Sequence, residues 1–244
     1  ETVIIENFGA APFRASGAHY LPGTTVWAVA RRDDGLFEFG VSAGRYSVRH
    51  AQNFLARAIV LAQGAIERPF PVPGWTLPGV MTVGAAQMLL KNSALVPGGK
   101  TVLAGLGPLL WLVAWQYLNA GASIDTLLET IPRGRLAEAM RHAPGFMFSG
   151  YLAKGLEYVR AVRRKVRVIE HVESIALEGD GKVRSVRYTS GGVEQTVEAD
   201  TVLLHQGVVP NVNLPVALGC DLWWNEGQAC FEPIVDEWGG SSLE

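Results

Sequence analysis

The sequence predicts an α/β fold, and three observations support this prediction. The apolar strand Thr101–Ala104 runs into a Gly-x-Gly turn at Gly105–Pro108, and an uncharged helix-like segment follows. A second apolar strand comes next and ends in an acid, Glu129. Between residues 166 and 204 the hydrophobic period returns to two, which is typical of β-strands. Strand, Gly-x-Gly turn, helix, strand and acid are the layout of a dinucleotide-binding βαβ unit, so we predict a Rossmann-like three-layer nucleotide-binding domain with a β-meander.

The residue types in the turn suit phosphate binding. Gly105 permits a tight turn, and Gly107 lacks a Cβ, so the backbone can approach a pyrophosphate. The helix that begins at Pro108 and Leu109 offers free N–H groups and a positive dipole end. Glu129 follows Gly105 by 24 residues, close to the spacing of about 20 expected of an acid that binds a ribose hydroxyl. We therefore predict that Gly105, Gly107, Pro108, Leu109 and Glu129 bind a nucleotide.

The glycine fingerprint is incomplete, because Leu110 stands where the third glycine would fall. A larger side chain there would push the helix away from the strand or alter the approach of the phosphates. The alternative interpretation is a structural βαβ unit that has lost its ligand.

The composition limits the function classes. Hydrophobic residues make up 48% of the 244-residue chain and charged residues 18%, with a net charge of −2. This balance gives no support for nucleic-acid binding. The uncharged run Thr101–Ala122 is long enough to cross a bilayer, but its glycines, proline and amides favour a buried helix, so we expect no membrane span. With no secretory signal at the start, a cytoplasmic protein is expected, with any membrane association made through partners.

Thiol and metal chemistry have little support. Cys220 and Cys230 are the only cysteines, and no CxxC exists. The five histidines show no metal-ligand spacing, so we predict no metal site.

Period-two runs and turns indicate the remaining elements. The predicted N-terminal strands are Thr24–Ala30, Leu36–Val41, Tyr46–Ala51 and Arg57–Ala62. The predicted helices are Gly84–Ser93, Leu136–His142 and Tyr151–Lys165. The predicted later strands are Val166–Ile169, Val172–Leu177, Val183–Thr189, Glu194–Val197 and Thr201–Leu204.

A Pro- and Gly-rich stretch over residues 66–80 indicates a rigid domain crossover. We expect the domains to be 1–66, a β-meander and strand; 67–97, the crossover and short helix; 98–205, the nucleotide-binding domain; and 206–244, a return segment.

Four segments together resemble a known family. They are Ile59–Pro69, Pro71–Val80, Gly105–Leu110 and His205–Asn211. The first is similar to the second FAD-domain signature of two-dinucleotide-binding-domain flavoproteins, the FAD-dependent pyridine nucleotide-disulfide oxidoreductase-like family. The set resembles the branch that holds the FAD-linked subunits of opine oxidases, hydrogen cyanide synthase and dye-linked proline dehydrogenase (alpha subunit).

The resemblance implies FAD as cofactor, with Gly64 and Ala65 in the backbone turn that passes close to it. Gln63 stands there in place of the usual threonine. The family's N-terminal and C-terminal FAD motifs are absent, so we expect a fragment that holds a second nucleotide domain, with NAD(P) or ATP as its ligand, and only a partial FAD-binding domain.

The resemblance also implies a function and partners. We expect part of a flavin-dependent oxidoreductase subunit that oxidises the C–N bond of an amine, amino acid or opine by hydride transfer to flavin. A second, FAD-containing oxidase or dehydrogenase subunit is the expected partner. The alternatives are a non-catalytic nucleotide-binding or assembly module and an NAD(P)H-dependent reductase. Glu129 disfavours NADP, because an acid repels a 2′-phosphate.

The sequence assigns no catalytic residue. Glu67 and Arg68 are interpreted as a surface pair at the turn rather than an active-site pair. His205 is interpreted as a structural hydrogen-bonding residue rather than a general base. The tryptophans are assigned to the core and to subunit contacts.

Overall fold

The computed structural model describes residues 15–43, 50–134 and 150–243. The chain forms two compact units. One comprises residues 65–209, and the other comprises residues 1–64 with residues 210–244.

A five-stranded parallel sheet is the centre of the first unit. Its strands, in spatial order, are β5 (Val80–Thr82), β12 (Thr201–His205), β6 (Thr101–Gly105), β7 (Thr126–Glu129) and β8 (Arg167–Ile169). Every residue of β6, β7 and β12 is buried. These three strands read as continuous apolar runs in the sequence because both faces of a parallel sheet are covered.

Three helices cover one face of this sheet: α1 (Val83–Ser93), α2 (Pro108–Asn119) and α3 (Gly150–Arg163). The core on this side is built from α1, α2, α3 and the inward side chains of the sheet, and Leu103, Leu110 and Leu127 are completely buried in it. This arrangement explains why α2 carries no charge: it packs against the sheet and against α3.

An antiparallel meander covers the other face. It consists of β9 (Val172–Glu178), β10 (Ser185–Ser190) and β11 (Val193–Glu198), paired in the order β11-β10-β9. Its inward side chains form a second core with the sheet. Helices, parallel sheet and meander are three layers, so the prediction of a Rossmann-like three-layer domain with a β-meander is confirmed.

The second unit contains another meander and a hairpin. The meander consists of β1 (Thr24–Arg31), β2 (Phe37–Ala43) and β3 (His50–Ala56). Further along the chain come α4 (Asn213–Leu218) and the hairpin β14 (Leu222–Asn225) with β15 (Cys230–Pro233). Two short strands, β4 (Ala65–Glu67) and β13 (Val208–Pro210), pair with each other, and all of their residues except Pro210 belong to the first unit.

Two strand predictions near the N-terminus need correction. The third strand of the meander extends to Ala56, whereas the sequence placed its end at Ala51. Phe54 in the missed part stacks on Phe39 of β2 with ring centroids 5.6 Å apart, so a cross-strand aromatic pair fixes the register beyond the predicted end.

The predicted strand Arg57–Ala62 is not a strand: the chain bends at Arg57 and has no regular secondary structure through Ala62. Its side chains alternate in burial, but no described strand pairs with it, and Val60 is 94% exposed. Apolar composition alone therefore misled the prediction, because a strand also needs a hydrogen-bonding neighbour.

The run Thr101–Ala122 is a strand, a turn and a helix rather than one helix. Among the described residues, no helix has the length and apolar character needed to span a bilayer. The predicted helix Leu136–His142 lies outside the described residues, whereas the other two predicted helices are confirmed as α1 and α3.

Candidate functional site

The carboxyl ends of three neighbouring strands bring the predicted nucleotide-binding residues together. In the register of the sheet, Gly105 at the end of β6 lies opposite His205 of β12 on one side and Glu129 of β7 on the other. Ligands of open α/β sheets bind outside this edge. The structure therefore places the glycine turn and the acid side by side.

The backbone of the turn requires glycine for two different reasons. Gly105 has φ +142°, and a Cβ there would lie 1.7 Å from the carbonyl oxygen of His205. Gly107 has φ +93°, and a Cβ there would meet, among the described residues, only the His205 ring, at 3.9 Å. Gly105 is therefore required because any side chain would clash with strand β12. The lack of a side chain at Gly107 leaves an open space beside the start of α2.

The helix that follows the turn begins without a side-chain cap. Gly107 is its N-cap and makes no side-chain hydrogen bond, Pro108 occupies the first helical position, and the first turn contains no acid. Leu109 is partly buried and packs against the helix-side core, and Leu110 is fully buried in that core. Leu110, which stands in place of a third glycine, is therefore part of the core. The free N–H groups of the first turn of α2 receive no hydrogen bond from the side chain of an N-cap residue.

Glu129 is a buried acid, with 9% of its surface exposed. Trp111, in the first turn of α2, donates a hydrogen bond from Nε1 to Glu129 Oε1 at 3.2 Å. Burial raises the pKa of the Glu129 carboxyl; the Trp111 hydrogen bond opposes this rise, and the charge of Glu170 adds to it. Sequence analysis missed the Trp111 contact, because no pattern indicated which way the indole points.

Glu67 and His205 form a pair that the sequence analysis missed. His205 Nδ1 lies 2.5 Å from Glu67 Oε1, and the two side chains are only 3% and 11% exposed. The second carboxylate oxygen accepts a hydrogen bond of 2.7 Å from the backbone N–H of Gly84, in the first turn of α1. The interpretation of Glu67 as a surface residue is therefore wrong, since the crossover folds it inward onto the N-terminus of α1, whereas a hydrogen-bonding role for His205 agrees with this contact.

The electrostatics of Glu67 follow from this position. Burial pushes the pKa of its carboxyl upward, but hydrogen bonds from His205, Thr82 and the Gly84 N–H outweigh burial and hold the pKa below its ordinary value. The carboxylate is thus ionised at neutral pH and accepts hydrogen bonds from both sides.

A pocket of about 610 Å³ lies within the unit formed by residues 1–64 and 210–244. Gln63 and Gly64 line it, whereas Ala65, an exposed residue at the start of β4, does not. The Gln63 side-chain amide donates to the carbonyl oxygen of Asn211, and the Asn211 N–H donates to the carbonyl oxygen of Gly64 at 3.1 Å. The amide is therefore oriented, and Gln63 Oε1 remains buried without a hydrogen-bond partner in the part of the chain that the structure describes.

This orphaned acceptor is a test of whether the residues fit a cofactor. A buried acceptor without a partner costs about 1–3 kcal/mol, and a ligand with hydroxyl or N–H donors would remove that cost. FAD carries such donors on its ribityl chain and its ring system, so an acceptor at Gln63 is chemically compatible with this cofactor. Within the described residues, no group of three or more His, Cys, Asp or Glu side chains could hold a metal ion.

Relatives among curated proteins cover nearly all of this chain. It is 44% identical over 232 residues to the opine oxidase A subunit of Rhizobium meliloti, an alignment that spans 95% of this chain and 44% of the relative. It is 43% identical over 230 residues to the opine oxidase A subunit of Agrobacterium tumefaciens, spanning 94% and 46%. The hydrogen cyanide synthase subunit HcnB of Pseudomonas aeruginosa is 32% identical over 176 residues, spanning 67% and 37%. The chain thus covers between 37% and 46% of the length of these three relatives. No family model matches it.

Solved structures share the fold. Thioredoxin reductase of T. acidophilum superposes with a TM-score of 0.62 at 18% identity, covering 96% of this chain and 66% of that one. Bacillithiol disulfide reductase of Bacillus cereus gives 0.59 at 15% identity, covering 91% and 60%. The fold is that of the FAD-dependent pyridine nucleotide-disulfide oxidoreductases. By sequence, the chain is related to the opine oxidase A subunit and to the hydrogen cyanide synthase subunit HcnB.

Proposed function

We propose that this chain is part of a flavin-dependent oxidoreductase subunit that oxidises the C–N bond of an amine, amino acid or opine. The observation that carries the proposal is the 44% identity to the opine oxidase A subunit over 95% of the chain. The cysteine content agrees with it, because the two cysteines of the chain stand ten positions apart and form no CxxC pair for disulfide reduction.

FAD is the cofactor in this proposal, and it would supply the ring system that accepts a hydride from the substrate. Gln63, Gly64 and Ala65 are the residues of this chain that would hold it. Gly64 has φ +70°, and no described residue lies within 4 Å of its Cβ position, so the backbone there is open to a ligand. Gln63 Oε1 would accept a hydrogen bond from the cofactor.

The test uses the full-length subunit that contains this segment, purified together with its partner subunit. Under anaerobic conditions, octopine or nopaline should bleach the flavin absorbance. If neither opine does so, bleaching by glycine or sarcosine would identify a different amine substrate. A complex that contains flavin but is bleached by none of these compounds would contradict C–N oxidation. A complex without flavin would contradict the whole proposal.

We further propose that Gly105, Gly107, Pro108, Leu109 and Glu129 bind an adenine nucleotide, either ATP or NAD(P). The uncapped start of α2 and the open space at Gly107 support phosphate binding there. Glu129 supports ribose binding, because its Oε1 is oriented by Trp111 and its Oε2 makes no hydrogen bond with a described residue. An acid at this place favours NAD over NADP.

Isothermal calorimetry of this chain with ATP and with NAD⁺ tests this second site. Glu129→Gln should keep an acceptor for Trp111 and remove the charge that binds the ribose. A loss of roughly tenfold in affinity is expected, the value of one charge-assisted hydrogen bond. Glu173→Gln, at an exposed position of β9, is the matched control. Equal affinities for both variants would contradict the role of Glu129.

One observation favours a different function, a non-catalytic assembly module. The carbonyl of His205 alone explains why residue 105 must be glycine, so this part of the fingerprint does not require a ligand. Absence of heat with either nucleotide at millimolar concentration would favour that module.

The relatives are named as subunits, so the partner that we propose is a second, FAD-containing subunit in a cytoplasmic complex.

A further inference from the structure

The hairpin of β14 and β15 exposes aromatic side chains on both of its faces. Trp224 and Phe231 lie opposite each other in the register and share one face, with ring centroids 5.1 Å apart. Trp223 lies opposite Glu232 and shares the other face with it. The exposed fractions of Trp223, Trp224 and Phe231 are 46%, 43% and 52%. The packing of its own unit therefore covers neither face of the hairpin completely.

Hydrogen bonds hold the hairpin in shape. The side-chain amide of Asn225 donates to Glu232 Oε1 at 3.0 Å, and its Oδ1 accepts a hydrogen bond of 3.0 Å from the N–H of Gln228 in the turn. Cys230, at the start of β15, is buried and anchors the strand. Aromatic side chains that are held in place before binding lose little conformational entropy when a partner binds. Exposed tryptophans of this kind carry much of the binding energy of many protein interfaces.

The segment that contains the hairpin is negatively charged. Residues 206–244 include no Lys, Arg or His. The acids of this segment are Asp221, Glu226, Glu232, Asp236, Glu237 and Glu244. The ion pairs of the described residues all lie outside it. The net charge of the whole chain is only −2, so negative charge is concentrated here, and a positively charged protein surface complements it.

An arginine elsewhere in this chain shows which cation suits a tryptophan beside an acid. The Arg163 guanidinium lies over the Trp111 ring and forms an ion pair with Glu170. A guanidinium is planar, so it can stack on an indole and pair with a carboxylate at the same time. Trp223 and Glu232 offer the same two groups side by side, and Glu232 Oε2 makes no hydrogen bond with a described residue.

We propose that the β14–β15 hairpin binds an arginine-lined groove of the second, FAD-containing subunit, with arginine side chains stacked on Trp223 and paired with Glu232. A groove fits better than a flat surface because aromatic side chains are exposed on both faces of the hairpin. This inference rests on the proposed partner subunit and adds the surface through which that subunit is bound.

The hairpin surface is separate from the pocket proposed for FAD. Val235 and Trp238 follow β15 in the sequence and line that pocket, so they are not part of the proposed contact. Trp223, Trp224 and Glu232 do not line it. A partner bound at the hairpin surface therefore needs none of the pocket-lining side chains.

The experiment uses the full-length subunit that contains this segment and the purified partner subunit. Surface plasmon resonance measures the dissociation constant of the complex at about 50 mM and about 500 mM NaCl. Trp223→Ala should raise the dissociation constant roughly tenfold or more. Glu232→Gln keeps an acceptor for Asn225 and removes the charge, so it should raise the dissociation constant about two- to fivefold. The wild-type complex should weaken at the higher salt concentration, and the Glu232→Gln complex should weaken less.

Two substitutions at exposed positions outside this unit are the controls. Trp75→Ala removes an indole that is 42% exposed, and Glu173→Gln removes a charge from an exposed position of β9. Neither should change the dissociation constant. Thermal unfolding of each isolated full-length variant shows whether a weaker complex reflects a lost fold.

Three results would overturn the proposal. The first is an unchanged dissociation constant for both Trp223→Ala and Glu232→Gln. The second is a loss of thermal stability in the isolated Trp223→Ala subunit with unchanged partner binding, since another part of the same subunit would then cover the hairpin. The third is a wild-type subunit that dimerises without its partner and becomes monomeric in Trp223→Ala, since a second copy would then be the occupant.

Failure of this inference can be distinguished from failure of the proposed function. If the wild-type subunit binds no partner subunit, the proposed partner is wrong and this inference falls with it. Bleaching of the flavin by an opine or amine tests C–N oxidation independently of the hairpin, because the variants leave the pocket-lining residues unchanged.

Discussion

The indole nitrogen of Trp111 donates a hydrogen bond of 3.2 Å to the carboxylate of Glu129, which joins the first turn of α2 to the end of β7. This contact fixes the acid in relation to the helix start that follows the glycine turn. Arg163 at the end of α3 lies over the Trp111 ring, with its guanidinium carbon 5.8 Å from the ring centroid. The buried acid is therefore oriented by a donor that is itself held by packing.

Glu129→Gln should stabilise the unliganded chain at alkaline pH relative to the wild type. Burial raises the pKa of the Glu129 carboxyl, so the folded state prefers the protonated form. The contribution of this acid to stability is complete below its unfolded-state pKa and is lost as the pH rises through the folded-state pKa. Urea unfolding at about pH 4 and about pH 8 measures this difference. The free energy of unfolding of Glu129→Gln should exceed that of the wild type only at the higher pH. A gain of equal size at both values would contradict the assignment.

Trp111→Phe should destabilise the chain by about 1.5–3 kcal/mol, because the buried Glu129 carboxylate loses the hydrogen bond from the indole N–H. Phenylalanine keeps an aromatic ring beneath Arg163, so the stacking contact remains. Trp115→Phe is the matched control, since Trp115 is also on α2 and packs its ring on Tyr158 at 4.8 Å. Chemical denaturation of the three proteins compares them, and equal losses for both variants would show that the indole N–H contributes nothing.

Gly105→Ala should destabilise the chain by roughly 2–5 kcal/mol, the sum of backbone strain and overpacking. The new methyl group would lie 1.7 Å from the His205 carbonyl oxygen, so strand β12 would have to move. Gly121→Ala tests the strain alone, because Gly121 has φ +80° and no described residue within 4 Å of its Cβ position. It should lose only about 1–2 kcal/mol. Similar melting temperatures for the two variants would contradict the close approach of β6 and β12.

Glu67→Gln should lower stability at neutral pH by about 1.5–3 kcal/mol, since the charge-assisted hydrogen bonds to His205 and to the N-terminus of α1 are weakened. The pKa of Glu67 is depressed, so its contribution is present above the unfolded-state pKa and is lost as the pH falls through the folded-state value. The difference from wild type should therefore shrink below about pH 4. Glu173→Gln serves as the exposed control, and a difference that persists unchanged in acid would contradict the role of the charge.

The framework of the nucleotide domain could be predicted from the sequence because its signals are local. Periodicity located the strands of the meander, and the order of strand, Gly-x-Gly and helix located α2 within one or two residues. The adjacency of Gly105 and Glu129 also followed from local pattern, because a short crossover helix places two successive parallel strands side by side.

The pair Glu67 and His205 could not be predicted, because 138 positions separate the two residues and only the tertiary fold brings them together. The error at Arg57–Ala62 has the opposite origin. Its apolar residues have the local character of a strand, but strand formation depends on a neighbour elsewhere in the fold. Local pattern therefore sufficed for elements, while the polar contacts of the site required the structure.

The most direct test of the nucleotide site is a nuclear magnetic resonance titration of this chain with ADP. The side-chain N–H resonance of Trp111, assigned by its loss in Trp111→Phe, reports on Glu129, and the amides of Gly107, Leu109 and Leu110 report on the helix start. We predict that ADP shifts all four resonances, and that Gly121, which is distant from the carboxyl edge of the sheet, keeps its position. Shifts confined to other residues, or none at saturating ADP, would contradict a nucleotide site at this edge.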